Sequence, residues 1–533
     1  MNLIFPKYNR LRALFSFILL IVILFLFLNS NIFISKEINP KIIPPKKTES
    51  QDKFNTFINK PEEKIKNILP KIHSETDNEA DKPKQDFIRK MMLHAWNGYK
   101  KKAWGCHEVR TDTGDCHNPS YLGAISGLGT TIVDAIDTLY IMKLNDEVSE
   151  AREFIKNLDF QKQIEVSLFE YNIRFLGGFL TMYSFTQDEI YLEKAKQLAD
   201  ILSSAFNTKT GFPYSLINLK TKKAHAHSWA PGRCAIAAEF GTLQMEWAYL
   251  SELTNNSSYS DKVKKIRESI VNLEKLNNGL FYNYYDNRKG TTCSKSSSFG
   301  ALGDSLYEYL LKEDIRSNNQ DSIGRGLYDK AIQTMIETGL YATSERSKSN
   351  YIANYEFGSN TKFMEHLACF VGGLLMLGTN GDQKNINFQR GLNITSTCHR
   401  SYASSAIGLG PDTFYFTDSL EAVANINSNK KYLLRPETVE SYFYAWRYTK
   451  DPKYREWAWD CVQALEKYTK GGYGYSGIEN VYESDPRQDN VQQSFFLAET
   501  LKYLYLIFSD ENTISLKHWI FNTEAHPLPI KNK

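Results

Sequence analysis

The chain lacks an excess of either charge. Its 533 residues carry 64 Lys and Arg against 61 Asp and Glu, a formal net charge of +3. Such a balance offers no basic footprint, and no nucleic-acid partner is expected. It also lacks the spacings of a zinc site, with neither a CxxC pair nor an HExxH. His225 and His227, two apart, face different ways on most elements and read as surface histidines. An even number of cysteines is missing too. There are seven, so at least one has no partner within the chain. Cys106 and Cys116 share a Gly- and Asp-rich loop and can close locally. Cys369 and Cys398 bracket a loop and can also pair, which leaves Cys234, Cys293 and Cys461.

Long unbroken apolar runs are absent except at the N-terminus. Ala13–Leu28 is interrupted only by Ser16 and extends to Ile34. The strict run spans roughly 24 Å as a helix, and the extended run crosses a bilayer. Lys7, Arg10 and Arg12 precede it, so residues 1–12 are expected in the cytosol and 13–34 as a retained signal anchor. No small-x-small cleavage site follows. Residues 35–86 are rich in charge, Asn and Pro and read as a flexible lumenal stem. The folded domain is expected from 87 to 533. Sequons at Asn255, Asn256 and Asn393 suit a lumenal surface.

What the remainder has is repetition. A Gly, Pro or Ser repeatedly opens an apolar helical run, at Gly129, Gly177-Gly178, Gly241, Gly303, Gly372-Gly373, Arg435-Pro436 and Ser494. These seven openings lie about 50 to 70 residues apart, enough for two helices and two connections each. Amphipathic stretches follow some of them, such as Glu189–Ser204 and Lys453–Tyr468. The opened runs are apolar nearly all round, as buried helices are. The expectation is an all-α ring of helical hairpins with an inner and an outer layer.

Acids stand where the runs open. In Arg435-Pro436-Glu437-Thr438-Val439-Glu440, the two glutamates are three apart and share a helix face. Pro436 suits a first turn. Glu170 and Arg174 lie one turn apart, Asp304 stands at a helix start, Glu499 sits in an aromatic run, and Glu524 is near the end. Singly, each reads as a cap, a local pair or a buried salt bridge. Together they would line one end of a ring, and acids collected in a cavity point to chemistry or a cation.

The segments FEYNIRFLGG, AEFGTLQMEW, GDSLYEYLLK, RPETVESYFYAWR, QQSFFLAETLKYLYLIF and FNTEAHPLPI closely resemble the class I α-1,2-mannosidases of glycoside hydrolase family 47, over residues 87–530. The resemblance implies an (αα)7 barrel and Ca²⁺-dependent, inverting removal of terminal α-1,2-linked mannose from high-mannose N-glycans. It implies Glu437 as base and Glu170 as acid, with Asp304 sharing or holding the acid role. Thr523 would bind Ca²⁺ through hydroxyl and carbonyl, with Glu440, Glu499 and Glu524 orienting its waters. Phe495 would stack on the mannose ring. Arg174, His366 and Arg435 would contact substrate or the carboxylates, and Cys369–Cys398 would be the family's disulfide. Where endoplasmic-reticulum members carry Arg, this chain has Leu302, which implies a broader trimming enzyme of Golgi type. A single-pass Golgi membrane protein with a lumenal catalytic domain is expected, the endoplasmic reticulum being second choice. His107 replaces the family's usual Asp. A non-hydrolytic lectin of glycoprotein degradation is the alternative. A different α/α-toroid glycosidase would have no use for Thr523.

Overall fold

Asp81 sets the start of the first helix, accepting the backbone N–H of Lys84 at 3.3 Å and its ammonium at 2.8 Å. This helix, α1 (Lys82–Lys102), carries Pro83 in its first turn. The computed structural model describes residues 80–532. The folded domain therefore takes in five residues, 82–86, that the sequence reading assigned to the stem. The expected tail, anchor and rest of the stem lie outside the described residues. Among the described residues no helix is long and apolar enough to cross a membrane.

Beyond α1, long helices come in pairs. They are α2 (Thr130–Ile141) with α3 (Asn145–Lys156), α4 (Gly177–Thr186) with α5 (Glu189–Leu202), and α6 (Gln244–Thr254) with α7 (Ser257–Val271). Then follow α8 (Asp304–Arg316) with α9 (Ser322–Glu337), and α10 (Val371–Gly378) with α11 (Ile386–Ala403). Last come α12 (Glu437–Thr449) with α13 (Lys453–Tyr468), and α14 (Leu501–Ile507), which pairs back to α1. Even-numbered helices are largely buried; in α2 all but Tyr140 is. Odd-numbered ones bury a stripe, such as Val148, Ala151 and Ile155 of α3. Neighbouring even-numbered helices pack together from α2 to α8 and from α10 to α14. The segment Phe496–Thr500 closes the series against α2. The result is the helical barrel expected from the seven openings.

The glycines at those openings permit close approach. A Cβ on Gly241 would stand 2.6 Å from the Cβ of Leu306 on α8. One on Gly177 would stand 2.5 Å from the amide nitrogen of Asn522. Both distances are far inside van der Waals contact, so neither position tolerates a side chain without movement.

Three differences from the sequence reading stand out. The chain is not purely helical: short antiparallel strands line many connections, as in Glu165–Ser167 with Leu216–Asn218 and Phe363–Glu365 with Thr413–Phe416. Strands of two to four residues are too short to show a period-2 pattern. Secondly, the run from Phe495 is not one helix. Phe496–Thr500 forms a wide π-turn before α14, and Tyr171–Leu176 forms another before α4. Thirdly, Cys234 pairs with Cys293, beside Cys106–Cys116 and Cys369–Cys398. Cys461 is free and buried.

Candidate active site

The first turns of α8 and α12, the two π-turns and the terminal hairpin converge on one cavity of about 420 Å³. The hairpin pairs Trp519–Phe521 with Pro527–Pro529 and presents Thr523 and Glu524 at its turn. Ten expected residues line the cavity: Glu170, Asp304 and Glu437; Arg174 and Arg435; Glu440, Glu499 and Glu524; Phe495 and Thr523. His366 is not among the lining residues. It is buried behind Glu437 and acts on it rather than on the cavity.

Glu437 and Asp304 both stand in the first turn of a helix, whose dipole favours a carboxylate. Their surroundings then divide them. Burial opposes charge on Glu437, but His366 Nδ1 donates to its Oε2 at 2.8 Å and Arg435 adds positive charge, so Glu437 is held below the usual carboxylate range. The Tyr402 hydroxyl, 2.7 Å from His366 Nε2, fixes the ring from behind. Asp304 has no cationic partner of this kind. Burial pushes it up to about 7 against the Ser305 N–H bond, and the charges of Glu308, Glu365 and Glu437 add to the rise. One cavity thus holds one carboxyl kept ionised and one that keeps its proton near neutrality, the separation an acid–base pair requires.

Arg174 is the hub of a charged network on the cavity wall. Its Nε donates to Glu170 at 2.7 Å. Its Nη1 reaches Asp134 at 3.0 Å, Ser494 at 3.1 Å and Glu524. Its guanidinium lies 5.9 Å over the Phe495 ring, leaving that half-buried ring as an apolar wall of the cavity. Both Glu170–Arg174 and Glu499 sit at a π-turn, where the widened backbone changes the side-chain directions of an ordinary helix.

Seven acidic side chains line the cavity against two arginines. Burial and mutual repulsion raise Glu499 and Glu524 well above the ordinary range, and push Glu440 up to about 8 against Lys312. Carboxyls whose charged forms are disfavoured in this way gain from a nearby positive ion, and with the Thr523 oxygens they fit a hard, oxygen-liganded cation. Among the described residues no three His, Cys, Asp or Glu side chains are placed to hold a metal directly. The donor set therefore fits a cation held by Thr523 and water, with the carboxylates binding those waters.

The sequence reading missed Glu308, Lys312, Asp134 and Asp412. Lys312 bonds Glu308 and stands 3.9 Å from Glu440. Asp304, Glu308 and Lys312 follow at four-residue steps, so this ladder was visible on one helix face. Asp412, 2.8 Å from Arg435 Nε, and Asp134 left no local signal. Leu302 is not in the cavity wall. It packs against the Cys234, Ala238 and Tyr284 cluster at a positive φ of 76°, a conformation uncommon for Leu. His107 is buried with Nδ1 2.6 Å from Thr130.

Human mannosyl-oligosaccharide 1,2-alpha-mannosidase IB is 46% identical over 458 residues, 85% of this chain and 71% of its own length. The IA protein of Sus scrofa is 43% identical over 504 residues, 93% and 76% of the two chains. The solved alpha-1,2-mannosidase from Trichoderma reesei superposes with a TM-score of 0.78 at 26% identity, covering 85% of this chain and all of that one. The profile of Glycosyl hydrolase family 47 matches residues 91–530, the stretch that builds both the barrel and the acidic cavity, and the chain belongs to that family.

Proposed function

We propose that this chain hydrolyses terminal α-1,2-linked mannose from high-mannose N-glycans, with inversion and with Ca²⁺ as cofactor. The observation that carries the reading is that Glu437, bonded by His366, and Asp304, without a cationic partner, share a single sugar-sized cavity and are shifted in opposite directions. The mannosidase names of the relatives supply the substrate.

Inversion needs a base on one face of the sugar and an acid at the departing oxygen. Glu437, kept ionised by His366 and Arg435, takes a proton from the attacking water. Asp304 keeps a proton near neutral pH and gives it to the glycosidic oxygen. Glu170, tied to Arg174, is the other candidate acid, and in Asp304's place would deliver that proton through a water. Phe495 offers its ring face to the sugar. A bound Ca²⁺ would be held by Thr523, with Glu440, Glu499 and Glu524 on its waters, and would grip the sugar's 2- and 3-hydroxyls. The (αα)7 barrel brings these groups together from the openings of α4, α8, α10, α12 and α14 and from the terminal turn. Residues 13–34 would anchor the enzyme in the Golgi membrane with the barrel in the lumen. The three disulfides suit that compartment. Leu302, packed outside the cavity wall, adds no support to the broader trimming that the family resemblance implied.

Glu437→Gln keeps an acceptor for His366 and should lower kcat by about 10³-fold or more with little change in Tm. EDTA should abolish mannose release and added Ca²⁺ restore it. Full turnover after exhaustive chelation would remove the metal from the reading. Release of α-mannose as the first product, seen by NMR, would remove inversion. A glycan-binding protein without hydrolysis would leave the glycans intact throughout.

A further inference from the structure

The turn that presents Thr523 is held from behind by two side chains outside the cavity. Asn522 is the first. Its Oδ1 accepts the backbone N–H groups of Glu524 at 2.9 Å and His526 at 2.8 Å. Its amide nitrogen donates to the Ile173 carbonyl and to Glu246 Oε1, both at 2.9 Å. One side chain thus shapes the turn and bolts it to the π-turn before α4 and to α6. Gly177 leaves the room for it.

Lys502 of α14 is the second. Its ammonium donates to the Ala525 carbonyl at 2.5 Å and to Asp137 of α2 at 2.7 Å. Lys502 and Asp137 are both fully buried. His526 fits between Asp137 at 3.2 Å and Asp134 at 3.7 Å, and Asp134 continues to Arg174. A buried ammonium without compensation is costly. Here it spans two inner helices and ends on a carbonyl two residues from Thr523. Ala525 has a φ of 56°, a left-handed conformation that an alanine keeps only where surrounding contacts impose it.

We propose that Lys502 and Asn522 are positioning residues, which hold the 522–526 turn in the shape that aims Thr523 into the cavity whether or not a cation is bound. This rests on the reading of Thr523 as the cation ligand. The close contacts that shape the turn fall on Asn522, Glu524, Ala525 and His526, on either side of Thr523, whose own N–H reaches the Tyr309 hydroxyl at 3.5 Å. Cation binding then does not have to order the turn, which strengthens affinity.

The test uses the full chain, stripped with EDTA and titrated with CaCl₂ by calorimetry. Lys502→Met with Asp137→Asn removes the ion pair without leaving a lone charge. This double variant should bind Ca²⁺ roughly 10–100-fold more weakly than wild type, the range seen for outer partners of metal ligands. Hydrogen exchange on wild type gives a second arm that needs no variant. The amides of Glu524 and His526 should be protected equally in EDTA and in calcium. Unchanged affinity in the double variant overturns the proposal, as does protection that appears only with calcium. If the double variant does not fold, the exchange arm decides. A wild type that binds no Ca²⁺ overturns the cation reading, and this one with it.

Discussion

At the residue scale, function rests on what stands beside each carboxyl. Asp304 and Glu437 are chemically alike and open equivalent helices, yet a histidine and an arginine stand by one, while burial, other acids and a single Ser305 N–H bond meet the other. Asp304's shift also has a stability cost. Its folded carboxyl binds a proton more tightly than the unfolded chain does, so its contribution to stability falls as pH rises from about 4 to about 7. Asp304→Asn should reduce the loss of stability between pH 5 and pH 8 by on the order of 2 kcal/mol, measured by denaturant unfolding at both pH values. The same variant should lose turnover. For the wild type, activity should decline on the alkaline side near neutrality, because the acid loses its proton there. That Glu437, Asp304 and Thr523 share one cavity was legible in the sequence because they sit inside long matching segments. The partnership of His366 with Glu437 was not, since 71 residues separate them and no period relates them.

At the element scale, the inner helices were read well and their irregular starts were not. Seven openings corresponded to seven buried helices because glycine at five of them and apolar residues all round are local marks. Lys453–Tyr468 was placed to the residue. The π-turns at Tyr171–Leu176 and Phe496–Thr500 escaped because an extra residue in one turn leaves the hydrophobic pattern almost unchanged. The short strands escaped because tertiary pairing, and not their own pattern, makes them. The glycine argument gives a prediction. Gly177→Ala should push Asn522 off Ile173 and Glu246, at a cost of about 1–3 kcal/mol. Calcium affinity should fall with it, as read by titration calorimetry. A variant as stable and as tight as wild type would mean that the crossing is looser than the geometry gives.

At the scale of the molecule, the barrel is a ring whose ends must meet, and cross-links stiffen its connections. Cys369–Cys398 closes 29 residues and Cys234–Cys293 closes 59. In the chain-entropy view, removing them as Ser pairs should cost about 3–4 and about 4 kcal/mol. The ranking is checked by unfolding each double variant under oxidising conditions. Sequence spacing suggested Cys106–Cys116 and Cys369–Cys398 because each pair is local. It could not choose among Cys234, Cys293 and Cys461, whose proximity is decided only by the folded ring.

The order of the ring has a consequence for biosynthesis. α2, near residue 130, finds its final neighbour in residues 496–500, and Arg174 finds Glu524 350 positions later. As the polypeptide emerges from the ribosome, its earliest helices must wait for almost the whole remaining translation before their last apolar and charged surfaces are covered. The newborn chain thus keeps those surfaces open to wrong partners until its final turn arrives.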